Sequence, residues 1–149
     1  MPDKISVLFL CTGNSARSQM AEAFLRKYAG GKFEVHSAGL DPVEINPFTI
    51  KVMEEIGISL EGQTSKLLSQ YMGHRRFAYL ITVCKKAEER CPATFPGVSH
   101  RLHWDFEDPA VSEGTDEDKL NKFREVRDLI DTRIKGWCAE LGIPIRTDA

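Results

Sequence analysis

Apolar positions along this chain fall into short solid runs and longer stretches spaced three or four apart. The run Ile5-Ser6-Val7-Leu8-Phe9-Leu10, between Lys4 and Gly13, reads as a strand buried on both faces. Met20, Ala21, Phe24, Leu25 and Tyr28 then recur at helical spacing before Gly30-Gly31. Phe33-Glu34-Val35-His36 alternates as a second strand, closed by Ser37-Ala38-Gly39. Asn46-Pro47 forms an N-cap and first-turn pair for a helix with Phe48, Val52, Met53 and Ile56 on one face and Gly57 as terminator. Residues 78–83 give a third buried strand ending directly at Cys84, and residues 101–104 a weaker fourth, followed by an acidic loop to Asp118. Leu120, Phe123, Val126, Ile130, Ile134, Trp137 and Leu141 mark an amphipathic helix of about six turns.

Strands and helices thus alternate. This pattern predicts an α/β fold: a single domain over residues 1–149, with a four-stranded parallel sheet and helices on both faces. Ligands of such sheets sit outside the carboxyl ends of the strands. Cys11, Cys84 and the loop after Trp104 all follow strands and should open onto that one edge.

Composition narrows the chemistry. With 20 Lys plus Arg against 22 Asp plus Glu, the net charge of -2 gives no bulk attraction to nucleic acid or membrane, so a bound anion must be held by local geometry. No apolar stretch approaches a membrane span, and the five-residue run after Met1-Pro2-Asp3-Lys4 is short for a signal-peptide core. A cytoplasmic location is expected. There the four cysteines, Cys11, Cys84, Cys91 and Cys138, need not be structural staples.

Cys11-Thr12-Gly13-Asn14-Ser15-Ala16-Arg17-Ser18 lies between a strand and a helix. If the loop wraps, the amides of Thr12, Gly13, Asn14, Ser15, Ala16 and Arg17 converge on an oxyanion, helped by the helix N-terminus. The same field would lower the pKa of Cys11 and make it nucleophilic. Arg17 offers a planar fork to two oxygens, and Ser18 a hydrogen bond to the thiolate. The bland alternative is a strand-end cysteine beside a surface arginine.

This loop, with Gln19-Met20-Ala21-Glu22 after it, resembles that of the low-molecular-weight protein tyrosine phosphatases and the arsenate reductases sharing their fold. Ser37-Ala38-Gly39, Val83-Cys84, Glu89-Arg90-Cys91-Pro92 and Asp108-Pro109-Ala110 resemble the thioredoxin-coupled reductases in particular, in the same order along the chain. The phosphatases need one cysteine. A second thiol facing Cys11 allows two electrons to pass to the bound oxyanion, which As(V) accepts and phosphate does not.

The resemblance implies a relay. Cys11 attacks arsenate, Asp108 protonates the departing oxygen, Cys84 attacks the adduct and releases arsenite, and Cys91 resolves the Cys11–Cys84 disulfide into Cys84–Cys91. If residues 84–91 were helical, the two Cα atoms would stand about 10.5 Å apart, beyond the roughly 7 Å reach of a bridge. The segment must then loop or unwind, and only Ala87 anchors it. The donor expected is thioredoxin, with glutaredoxin or glutathione as alternatives; phosphate and sulfate would compete with arsenate. The rival function is a phosphatase whose Cys84 and Cys91 are regulatory. The chain is taken as a monomer without cofactor.

Asn14, Glu22 and Ser37 match positions that surround potassium in some relatives, but Lys66 stands where those carry an acid. An ammonium there would make the ion unnecessary, and no metal is expected. Ala16 stands where some relatives have a further cysteine outside the relay. A zinc site of Cys84, Cys91, His100 and His103 has a first gap of six residues, wider than the usual two to four. Asp105 is the runner-up to Asp108 as acid. Cys138 falls on the buried stripe of the last helix and reads as core. His36, His74, His100 and His103 show no nucleophile–base arrangement with Cys11, and His74-Arg75-Arg76 reads as solvated surface.

Overall fold

The structure, a computed structural model, describes residues 4–71, 73, 75–91 and 96–146. His74 and Pro92 lie outside the described residues. Eight elements alternate: β1 (Ile5–Cys11), α1 (Arg17–Ala29), β2 (Phe33–Gly39), α2 (Pro47–Glu54), β3 (Phe77–Thr82), α3 (Lys85–Arg90), β4 (Val98–His103) and α4 (Asp116–Glu140).

All pairings are parallel and the strand order is β2-β1-β3-β4. Val7 to Leu10 are wholly buried, as a central strand with cover on both faces requires. The chain leaves β1 toward β2 in one direction and leaves β3 toward β4 in the other. Right-handed crossovers therefore put α1 and α3 on opposite faces. α4 packs along α1, with Trp137 against Phe33, Tyr79 and Trp104. The order reverses between β1 and β3, so the crevice where such sheets bind ligands opens beside Cys11 and Cys84.

Several expectations shift. The fourth strand is Val98–His103, three residues earlier than the apolar signal of residues 101–104, because an edge strand with exposed Ser99, His100 and Arg101 carries no apolar run. The acidic stretch is not one loop. Pro109–Val111 forms a 3-10 turn, and Asp116, Glu117 and Asp118 make the first turn of α4, where Thr115 and Asp118 complete a capping box. Ile56 and Leu141 lie beyond their helices and are exposed rather than core. Asn46 does cap α2, accepting from Phe48 N–H at 2.9 Å. Among the described residues no helix is long and apolar enough to cross a membrane.

Candidate active site

The loop after β1 is held from outside by its carbonyls. Those of Cys11, Thr12, Gly13 and Ser15 accept from the N–H groups of Leu40, Asp41, Val43 and Asn46, at 2.8–3.2 Å. The Asn14 carbonyl accepts from Gln19 Nε2 at 2.9 Å and Ser65 Oγ at 3.0 Å. In a trans peptide the N–H points opposite to the C=O, and no peptide among the described residues is cis. Five outward carbonyls in succession therefore turn the amides of residues 12–16 toward the loop's interior. Ala16 caps α1 without a side-chain bond, so that helix end adds open donors on the same side.

Two residues make this wrap feasible. Asn14 has φ 51°, a left-handed conformation that asparagine tolerates better than most side chains. It is wholly buried and its side chain is saturated: Nδ2 donates to Ser18 Oγ at 2.8 Å and Ser37 Oγ at 3.0 Å, and Oδ1 accepts from Lys66 N–H at 2.8 Å. Gly39 closes β2 where a Cβ would stand 2.6 Å from the Thr12 carbonyl oxygen. Only glycine lets that backbone approach.

Arg17 crosses toward the loop after β4. Its Nη1 donates to the Phe106 carbonyl at 3.0 Å and its Nη2 lies 3.5 Å from Asp108 Oδ2. Its Nε is one of two buried side-chain polar atoms among the described residues without a hydrogen-bond partner, the other being His36 Nε2. A buried unpaired N–H costs roughly 1–3 kcal/mol, a cost that an oxyanion accepting from it would remove. Asp108 is half-buried and accepts from Ala110 N–H at 3.0 Å. Asp108 thus pairs with the Arg17 cation, while Asp116, Glu117 and Asp118 of the same acidic stretch belong to α4. Asp105 is exposed and lines a separate groove of about 500 Å3 with Leu129, Thr132 and Arg133.

Cys11 and Cys84 are both buried and hydrogen-bond each other. The lowered pKa expected for Cys11 is corrected here. Cys84 is the acidic partner, held down at about 5 by the hydrogen bond from Cys11, then by Thr12 Oγ1 and the Ala87 N–H, both at 3.4 Å, with Arg17 assisting against burial. Cys11 is pushed well above its ordinary value by that same bond and by burial, which outweigh Arg17 and the Ser18 hydroxyl. The sequence points to one thiol in a positive field; the structure sets two there, Cys84 with its pKa lowered and Cys11 with its pKa raised. Cys84 also caps the N-terminus of α3, where its charge is favoured. Cys91 closes the other end of α3; it is buried and pushed up by burial.

The chain belongs to the low molecular weight phosphotyrosine protein phosphatase family. That family's model matches residues 6–144. The arsenate reductase of Halalkalibacterium halodurans is 47% identical over 140 residues, covering 94% of this chain and 99% of that protein. A solved arsenate reductase in its oxidized state is 31% identical with a TM-score of 0.76, over 91% of this chain and 97% of that one. The thioredoxin-dependent arsenate reductase of Corynebacterium glutamicum is 30% identical with a TM-score of 0.70, over 93% of this chain and 62% of that one.

Of the residues matched to a potassium site in some relatives, Glu22 has Lys66 beside it. Lys66 Nζ lies 3.9 Å from Glu22 Oε1 and donates to the Thr64 carbonyl; Glu22 accepts from Ser37 Oγ and from Arg26 Nη2 at 2.6 Å. Burial lowers the Lys66 pKa and Glu22 opposes that shift. The zinc alternative does not assemble. His100 stacks on Tyr79, His103 Nδ1 bonds Thr82 Oγ1 at 2.8 Å, and no metal-holding group of three His, Cys, Asp or Glu occurs among the described residues. Cys138 is wholly buried, with burial raising its pKa.

The supporting bonds of Gln19, Ser65, Thr49 and Gln63 were missed from sequence. Thr49 Oγ1 donates to the Ser15 carbonyl at 3.1 Å, and Gln63 Nε2 to Gln19 Oε1 at 2.7 Å. Gln19 carried a signal, being a polar residue on the buried side of α1; Ser65 and Gln63, on an irregular loop, carried none.

Proposed function

We propose that this chain reduces arsenate to arsenite through Cys11, Cys84 and Cys91, with thioredoxin as reductant. The observation that carries the reading is the hydrogen-bonded Cys11–Cys84 pair in the crevice between β1 and β3, with Cys91 at the far end of one short helix. A hydrolase of this kind needs Cys11 alone. The arsenate reductases among its relatives, one of them described as thioredoxin-dependent, support the same reading.

The oxyanion sits on the amides of residues 12–16 and the Arg17 guanidinium. As Cys11 attacks arsenic its thiol proton passes to the Asp108 carboxylate, and Asp108 returns that proton to the hydroxyl that leaves as water. Cys84, its thiolate favoured by Thr12 Oγ1, the Ala87 N–H and Arg17, attacks Cys11 Sγ. An S–S bond forms, the As–S bond breaks, and its electron pair stays on arsenic, which departs as arsenite. Cys91 then attacks Cys84 Sγ and frees Cys11. Phosphate and sulfate fit the same cradle and compete.

In an assay with arsenate, thioredoxin and thioredoxin reductase, the wild type turns over repeatedly, Cys11→Ser is inactive, and Cys91→Ser stops after about one turnover. Any hydrolysis of a phosphate ester depends on Cys11 and survives Cys91→Ser. Sustained arsenate reduction by Cys91→Ser would refute the relay and leave the phosphatase reading.

A further inference from the structure

α3 is a helix of six residues with one buried interior side chain, Ala87. A segment that short has little helical stability of its own. Cys84 and Cys91 at its ends stand about 10.5 Å apart by helical rise, so a bond between them requires the helix to open. Among the described residues its side chains are seen tied to the rest of the fold through Glu88 and Arg90. Glu88 meets Thr82 Oγ1 at 2.5 Å and lies 3.8 Å from His103 Nδ1. Arg90, the residue before Cys91, donates to Asp41 Oδ2 at 2.7 Å.

Asp41 is unusual in what it joins. Its backbone N–H donates to the Thr12 carbonyl at 2.8 Å, and Thr12 Oγ1 contacts Cys84 Sγ at 3.4 Å. One residue therefore braces the anion loop through its main chain and the last turn of α3 through its carboxylate. Both partners are largely exposed, at 49% for Arg90 and 64% for Asp41, so a core role does not account for the contact. Lys86, on the first turn of α3, adds a second cation that Asp41 feels.

We infer that the Asp41–Arg90 ion pair is a latch that keeps α3 closed and Cys91 withheld until Cys84 has reacted, making both positioning residues for the disulfide-transfer step. The inference rests on the three-cysteine reading above. Before transfer, the Cys84 thiolate caps α3, and Cys91 is sequestered. Once Cys84 is bonded to Cys11 it carries no charge, the cap weakens, and the ties through Arg90 and Glu88 are what remain to be released. Cys91 then loses its proton to solvent and attacks Cys84 Sγ. The Cys84–Cys91 bond forms, the Cys11–Cys84 bond breaks, and Cys11 leaves as a thiolate, with no net change in oxidation state.

The test follows disulfides by alkylation quench and peptide mapping after one turnover of arsenate, in the wild type, Asp41→Ala, Arg90→Met and the charge exchange Asp41→Arg with Arg90→Asp. Breaking an exposed pair changes an equilibrium by roughly two- to five-fold. The single variants should form Cys84–Cys91 faster by about that factor, with Cys11–Cys84 formation unchanged, and the exchange should restore the wild-type rate. Ionic strength of ~1 M, where screening reaches ~3 Å, should speed the wild type and leave the single variants nearly unmoved. In the reduced protein, hydrogen exchange at the Glu88 and Cys91 amides should rise in both single variants. Equal transfer rates and equal exchange in all four proteins would overturn the latch alone. Failure of the wild type to form Cys84–Cys91 would overturn the three-cysteine reading and the latch with it.

Discussion

The two segments that carry the reacting thiols are built in opposite ways. After β1 the chain forms a loop whose carbonyls from Cys11 to Ser15 are each tied down by another segment, around an asparagine with no exposed surface. Residues 84–91 form one short helix between the buried caps Cys84 and Cys91, with Ala87 its one buried interior residue and exposed side chains fastening it. An oxyanion site must hold its donors fixed, because their stabilising field acts only if they need not reorganise. A thiol shuttle must do the reverse and move several ångström. The same chain meets both demands by spending buried hydrogen bonds on the first segment and almost none on the second.

Substitutions in the two segments should therefore fail differently. The largest effect is expected for Arg17→Lys, which keeps the charge but loses the fork: kcat/KM for arsenate reduction should fall by about 10²–10³, with little change in melting temperature. Asn14→Ala removes three buried side-chain bonds and should cost about 3 kcal/mol in chemical denaturation, lowering the melting temperature by roughly 6–12 °C.

The thiol pair that joins the segments gives a pH signature. Cys84, an acid whose folded value is lowered, holds its thiolate above about 5 and loses it as pH falls through that value. Thiolate absorbance at 240 nm should thus show one titration near there in the wild type. It should move upward in Cys11→Ala, where the largest stabilising contact is gone. An unmoved midpoint would assign the low value to another group.

The smallest global effect should come from Glu89→Gly on exposed α3. Glycine in a helix interior costs about 1 kcal/mol, enough to speed local exchange at the Cys91 amide about five-fold. The global unfolding midpoint should stay in place. If it dropped as far as in Asn14→Ala, the contrast between a fixed loop and a loose helix would be wrong.

Sequence reading went furthest where one residue type has one physical use. The solid run from Ile5, the Asn46-Pro47 cap and the 120–137 stripe each dictate a local structure, and Gly13 with Arg17 marks a loop turning into a helix. Less was legible where meaning depends on a partner far along the chain. The sequence puts Cys84 at the same sheet edge as Cys11, but the loop's field points to Cys11 as the acidic thiol, and only the contacts of Thr12 and Ala87 with Cys84 show why Cys84 takes that part. The edge strand Val98–His103 has one face in solvent and shows no apolar run. Asp108 stands out in the sequence by the Asp108-Pro109 match after the fourth strand, yet nothing local says that Arg17, ninety-one residues earlier, pairs with it.

The central claim is that electrons leave through Cys84 to Cys91. Its most direct test is to react fully reduced protein with arsenate without any thioredoxin, measure arsenite, block free thiols and map the bonds. The account predicts one arsenite per chain, a Cys84–Cys91 disulfide, and Cys11 recovered as a free thiol. Arsenite released with Cys91 still alkylatable, or no arsenite at all, would contradict it.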